Sequence, residues 1–170
     1  APNMRDIPIV TFINKVDREG QDPLELLDEI ASDLALDVMP ATWPIGMGGQ
    51  FQGCIDVSGN RLLLPEAGRV TPFGRTIQLQ ALEEALDSTE VDQDILRKSL
   101  EGLELARSAL PQFDLKSFHE GHLSPVFFGS ALRNFCVAEL LDALAAWAPK
   151  PLPRKAEQRM VDSEEQAVTG

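Results

Sequence analysis

The chain has 170 residues, 44% of them apolar and 25% charged, and its 15 Lys and Arg against 27 Asp and Glu leave a net charge of −12. This composition suits a globular protein of one or two small domains with a sizeable core, while so acidic a balance argues against binding a phosphate backbone, which needs concentrated positive charge. No apolar run approaches the ~18 to 20 residues of a membrane span, and no basic-then-apolar leader opens the sequence, so a cytoplasmic location and no membrane partner are expected.

The first element is Ile7-Pro8-Ile9-Val10-Thr11-Phe12-Ile13, apolar on both faces, which predicts a strand buried in a parallel sheet beneath helices. It gives way to the polar quartet Asn14-Lys15-Val16-Asp17. Asp22 can cap a following helix, with Pro23 at its first position, Glu25 in its first turn, and Leu24, Leu27, Ile30, Ala31 and Leu34 at helical spacing. Past Pro40 the period changes. Trp43-Pro44-Ile45 and then Phe51, Gly53, Ile55 and Val57 alternate around Gly46-Met47-Gly48-Gly49, and the turn Ser58-Gly59-Asn60 leads into Arg61-Leu62-Leu63-Leu64, so a small antiparallel sheet is expected.

Helices are then predicted over 77–86, over 91–110 with Val91, Ile95, Leu96, Leu100 and Leu103, and over 114–120, stopping at Gly121. Val126-Phe127-Phe128 is a second buried-strand pattern, running into Gly129-Ser130-Ala131 and a helix over 137–147 that carries Leu140, Leu141, Leu144 and Trp147. Pro149-Lys150-Pro151-Leu152-Pro153 is stiff and cannot continue that helix, so it reads as a linker, with 154–170 as a tail. The expected organisation is α/β: parts 1–41 and 123–148 share a sheet, 42–122 is an inserted α+β block, and 149–170 leads toward another domain.

Ligands of open parallel sheets bind beyond the carboxyl ends of the strands, where both polar loops fall. Asn14-Lys15-Val16-Asp17 fits the N-K-x-D pattern that selects guanine. The Asp17 carboxylate can accept from the ring N–H and the exocyclic amino group of that base, a charge-assisted pair that adenine does not offer. Lys15 would lay its stem along the base, and Asn14 would bond the base edge and tie neighbouring loops. In the second loop the Ser130 hydroxyl can orient Asp17, and the Ala131 N–H can donate to the guanine carbonyl. The bland alternative is a polar loop and helix cap; the coincidence of pattern, preceding strand, following helix and second loop favours the nucleotide.

Other features carry less. No G-x-x-x-x-G-K-S/T exists in the chain, so Gly46 to Gly49 reads as a turn, and the D-x-x-G matches at Asp17 and Asp56 read as chance because neither precedes the guanine motif. His119 and His122 lack further ligands at metal spacing and suit capping or the surface. Cys54 and Cys136 read as buried thiols, and Trp43 and Trp147 as core anchors.

Four stretches, PIVTFINKVDREGQDPLELLDEI from Pro8, ATWPIGMGGQFQG from Ala41, PVFFGSALRNFCVAELLDALAAW from Pro125 and APKPLPR from Ala148, resemble the bacterial peptide chain release factor 3 family, relatives of elongation factor G. Asp22-Pro23 and Thr42-Trp43-Pro44-Ile45-Gly46 favour the release factor over the equivalent part of elongation factor G, while 65–122 match in pattern more than in letters. The resemblance implies the C-terminal part of a P-loop GTPase G domain carrying an inserted subdomain. It implies GTP and GDP as ligands with Mg2+ in the parent protein, action on the ribosome, and removal of codon-reading release factors. Asn14, Lys15 and Asp17 would be the base triplet, and Ser130, Ala131 and Leu132 the second base loop. The family's phosphate loop, switch loops and water-positioning histidine have no counterpart in these residues, so no catalytic residue is assigned and hydrolysis by this stretch alone is not expected. A competing expectation makes 42–122 a docking module for a ribosomal protein, through its acidic helices.

Overall fold

The computed structural model describes residues 7–14, 16, 20–65, 75–88, 90–131 and 135–150. In chain order the elements are β1 (Thr11–Ile13), α1 (Pro23–Leu34), β2 (Asp37–Pro40), β3 (Thr42–Ile45), β4 (Gly53–Asp56), β5 (Arg61–Leu64), β6 (Arg75–Gln78), α2 (Gln93–Ala109), α3 (Leu115–His119), β7 (Leu123–Phe128) and α4 (Val137–Trp147), with 3₁₀ turns at Gly48–Gln50 and Leu82–Asp87. β1, β7 and β2 form a parallel sheet in that order, and β3 to β6 form an antiparallel meander. The α/β class expected from the sequence is what the chain adopts.

Local chemistry explains the helix starts. Asp22 accepts from the Leu24 N–H at 2.8 Å, Asp92 from Asp94 and Ile95 at 3.0 and 3.1 Å, and Asp114 from Ser117 at 3.0 Å. Each such cap satisfies an amide that the helix leaves unpaired, and typically contributes about 1 kcal/mol. The hydroxyl and amide of Ser117 hold the exposed Asp114 carboxyl below the usual carboxylate range.

Several expectations are corrected. The helix predicted over 77–86 is instead strand β6 followed, after Leu79, by the 3₁₀ turn. Ile77 lies opposite Leu62 across the sheet, and the Gln78 side-chain amide donates to the Gly59 and Leu79 carbonyls at 2.8 and 3.1 Å, so the open edge of β5 dictates an extended chain where local spacing reads as helical. β2 has no counterpart among the expected elements. Its four residues offer little period of their own and end in proline; pairing Asp37 through Pro40 with Leu123 through Val126 is what makes them a strand. β1 is shorter than the apolar run that contains it, and its residues are half-buried, with Ile7 50% exposed. An apolar cavity of about 510 Å³ lies between Val10 and Phe12 on one side and Leu140 and Leu144 of α4 on the other. On α4 the packed stripe is Leu140, Ala143 and Trp147, whereas Leu141 points outward.

Every residue of β7 is buried. Where β2 ends, the Ala41 N–H donates to Val126 O at 2.8 Å, and the chain turns into the second sheet. The buried Thr42 hydroxyl then replaces a strand partner, accepting from the Phe128 N–H at 2.8 Å and donating to the Phe128 carbonyl at 2.9 Å. Trp43 meets Phe128 edge to face at 5.6 Å. One core cluster runs from Val16, Leu27, Val38 and Val126 to Trp43, Ile55, Leu62, Leu96 and Leu103, so the two sheets share an interior. Thr42→Val keeps shape but strips the Phe128 amide of its side-chain acceptor. A stability loss of about 1 to 3 kcal/mol is expected, read as a lower urea midpoint at unchanged slope by tryptophan fluorescence.

Candidate functional site

Ile13 and Phe128 are paired in parallel register, so the loops that follow β1 and β7 leave the sheet at the same, carboxyl, end. The ladder continues past the strands. The Gly129 N–H donates to Ile13 O at 3.0 Å, and the Val16 N–H donates to Gly129 O at 3.3 Å. Val16, the free position of the N-K-x-D quartet, is 1% exposed and belongs to the core cluster, so it anchors the first loop from beneath.

The second loop is built on a close approach. A Cβ at Gly129 would lie 2.3 Å from Phe135 O and 3.1 Å from the Cys136 Cβ, so only glycine fits there. Ser130, fully buried, exchanges backbone hydrogen bonds with Phe135 at 3.1 and 2.8 Å, closing the neck of the loop. Cys136 takes a left-handed conformation at φ 61° just before α4. Between the loops, the Ala131 N–H donates to Asn14 Oδ1 at 2.9 Å, joining residues 117 positions apart in sequence.

Of the site residues expected from the sequence, Asn14, Ser130 and Ala131 are thus brought together. Lys15, Asp17 and Leu132 lie outside the described residues. Val16 is a site element that the motif pattern passes over, although a single aliphatic residue within a polar quartet is a legible signal. Gly48, whose N–H donates to Val16 O at 3.1 Å, and Phe51, whose ring meets Phe135 edge to face at 5.3 Å, carry no signal in the sequence.

The weaker candidates resolve into structure. Gly46, at φ 75°, donates its N–H to Ser99 Oγ at 3.1 Å, and a Cβ there would come within 2.1 Å of Gln50 O: this run is a tight turn. Asp56 closes the β4–β5 turn, accepting from the Gly59 N–H at 3.2 Å and pairing with Arg61. His119 Nε2 meets the Trp147 carbonyl at 2.6 Å, at the end of α4. Among the described residues no group of three or more His, Cys, Asp or Glu could hold a metal ion. Cys54 and Cys136, distant in sequence, share one buried cluster as free thiols. Burial pushes the Cys54 thiol well up, and its hydrogen bond to Cys136 raises it further. Desolvation likewise raises the Glu139 carboxyl in the first turn of α4, against the pull of Arg61.

Residues 3–150 match the elongation factor Tu GTP binding domain. The chain belongs to that family. It is also similar to the protein ttk003000868 of Thermus thermophilus, known from a crystal structure, at 26% identity and a TM-score of 0.55 over 86% of this chain and 23% of that one. The chain therefore spans under a quarter of that relative. The mixed α/β architecture, with parallel strands and flanking helices, accords with part of such a domain. At this sheet end a buried serine lies next to the backbone amide that the Asn14 carboxamide bridges. No helix among the described residues is long and apolar enough to cross a membrane.

Asn14→Ala removes the acceptor of the Ala131 amide, so hydrogen exchange at Ala131 should accelerate while Val126 and Phe127 keep their rates; an unaltered Ala131 rate would mean the bridge is absent in solution. The Cys54 shift fixes a second expectation. Its folded pKa lies above the unfolded value of about 8.5, so the stabilisation is full below that pH and is lost as pH rises through the folded pKa. Urea midpoints should fall between about pH 8 and about pH 10, and less steeply in Cys54→Ala.

Proposed function

We propose that the chain is the guanine-selecting portion of a ribosome-dependent GTPase of the release factor 3 type, which recycles codon-reading release factors in translation termination in the cytoplasm. The observation that carries this reading is the common origin of the two loops at one sheet end, joined through Asn14 and Ala131. Family membership supports the nucleotide, and the letters at Asp22-Pro23 and Thr42 to Gly46 support the release factor over elongation factor G.

In this reading Asp17 accepts from the two N–H donors of guanine, Lys15 covers a base face, and Asn14 holds the two loops in register. Ser130 orients the carboxylate of Asp17 and Leu132 lies on the carbonyl side, while the Ala131 N–H, expected from the sequence to meet the guanine carbonyl, instead donates to Asn14 Oδ1 and has to exchange that partner to reach the base. The parts 1–41 and 123–148 belong to the G domain, 42–122 to its insert, and 149–170 to a linker. Mg2+ and the hydrolytic groups belong to phosphate-side loops of the full-length factor, which act by positioning and by stabilising developing charge.

In the full-length factor, Asp17→Asn should weaken GDP by about tenfold to hundredfold, the scale of a lost charged hydrogen-bond pair. It should favour xanthosine diphosphate, whose extra carbonyl suits the amide donor. Fluorescent-nucleotide titration decides it, and an unchanged preference sinks the assignment.

A second, compatible reading concerns the insert. Glu83, Glu101 and Glu104 are exposed along the groove between the 3₁₀ turn and α2, which Arg97 and Arg107 also line, and the carboxylates are the groups that a basic ribosomal protein would meet. Double reversal of Glu83 and Glu101 to lysine should reduce co-sedimentation of the full-length factor with ribosomes, more so at low salt. Wild-type retention at all salt concentrations would remove this reading.

A further inference from the structure

The link between β3 and β4 touches both loops of the site. From Gly48 it reaches the first: the Gly48 N–H donates to Val16 O at 3.1 Å, on the side of Val16 opposite the bond to Gly129. From Phe51 it reaches the second: the ring sits edge to face on Phe135 at 5.3 Å and an interplanar angle of 82°, packed on the cluster of Cys54, Leu63, Phe135 and Cys136. Phe135 is the residue whose backbone closes the neck of the second loop on Ser130. A segment of four residues, Gly48 to Phe51, thus holds the inner residue of one loop and the closing residue of the other.

The segment is itself fixed from the opposite side. The Gly46 N–H donates to Ser99 Oγ, and the Ser99 hydroxyl donates to Ile95 O at 2.9 Å, so the turn is tied to the first half of α2. The Gln52 N–H donates to Ile45 O at 2.8 Å, and Gln52 Oε1 accepts from the Asp92 N–H, the N-cap of the same helix, at 2.7 Å. Internal bonds from Gln50 to Met47 O and from Phe51 to Gly48 O keep the turn stiff. One short piece of chain therefore connects α2 to both loops.

We propose that the Gly48–Phe51 turn is a positioning element for guanine-nucleotide retention, with Phe51 as its principal side chain, coupling α2 of the inserted block to the two base loops. It rests on the reading of those loops as the guanine site. A partner that shifts α2 changes the nucleotide dissociation rate without touching the nucleotide. Neither Phe51 nor Gly48 meets the base; both act through Val16 and Phe135.

Two arms test it. In the 170-residue chain, Phe51→Ala should speed amide exchange at Val16, Ser130 and Phe135 by about threefold to tenfold, the scale of a lost edge-to-face pair, while α3 and β2 keep wild-type rates. In the full-length factor the same substitution should raise the GDP dissociation rate by about the same factor, with Phe51→Leu intermediate and the association rate nearly unchanged. A uniform rise in exchange, or loops that exchange as in wild type, overturns the clamp. Faster loop exchange with an unaltered GDP dissociation rate overturns its role in retention. Should Phe51→Ala fail to fold, Phe51→Leu is judged by the same two readouts. A wild-type factor with no guanine affinity would instead refute the reading of the site, and the exchange arm would still decide whether the turn positions the loops.

Discussion

The last residues of β7 set the geometry of everything around them. A central strand must have its backbone groups paired on both sides once it is fully buried, because an unpaired buried amide or carbonyl costs about 1 to 3 kcal/mol. On one side β1 supplies partners as far as Ile13. On the other, β2 ends at Pro40, and the Thr42 hydroxyl takes over at Phe128, with the Cys54 thiol donating to the same carbonyl at 3.5 Å. With Phe128 held from both sides, Gly129 has one place to go, and the carbonyl of Gly129 in turn holds Val16. The two loops inherit their separation from this chain of backbone bonds.

The same arrangement explains why the antiparallel meander is more than an appendage. Thr42 and Cys54 lie on its first two strands and reach the end of the parallel sheet, while Trp43 covers Phe128 from the same side. The core has no break between the two sheets. Truncating one of its large members, Leu62 or Leu96 for instance, removes contacts from a shared interior, where such changes cost about 2 to 5 kcal/mol. The geometry of the sheet end and the stability of the meander are for this reason coupled physically.

Charge is distributed by the same logic. Asp56 and Arg61 satisfy each other at a turn, and Glu139, near that pair, is held up in pKa by desolvation. Acid is spread along the chain: α1 carries Glu25, Asp28, Glu29 and Asp33 with no basic residue, and the 3₁₀ turn carries Glu83, Glu84 and Asp87, whereas on α2 Arg97, Lys98 and Arg107 offset Asp94, Glu101 and Glu104.

The sequence by itself determined the elements whose signals are local. Asp22 marks a helix start because a cap is made within a few residues, and Asp92 and Asp114, not read as caps from the sequence, open their helices in the same way. The runs around Thr11–Ile13 and Val126–Phe128 mark strands, and the alternation from Trp43 to Leu64 marks the meander. Only the tertiary structure decided the rest. β2 and β6 are strands because β7 and β5 present unpaired backbone to them, a demand invisible in their own residues. Cys54 meets Cys136, and Gly48 and Phe51 support Val16 and Phe135, because the sheet end folds distant segments onto one another. Such contacts depend on the path of the whole chain, and no spacing within a window of sequence encodes them.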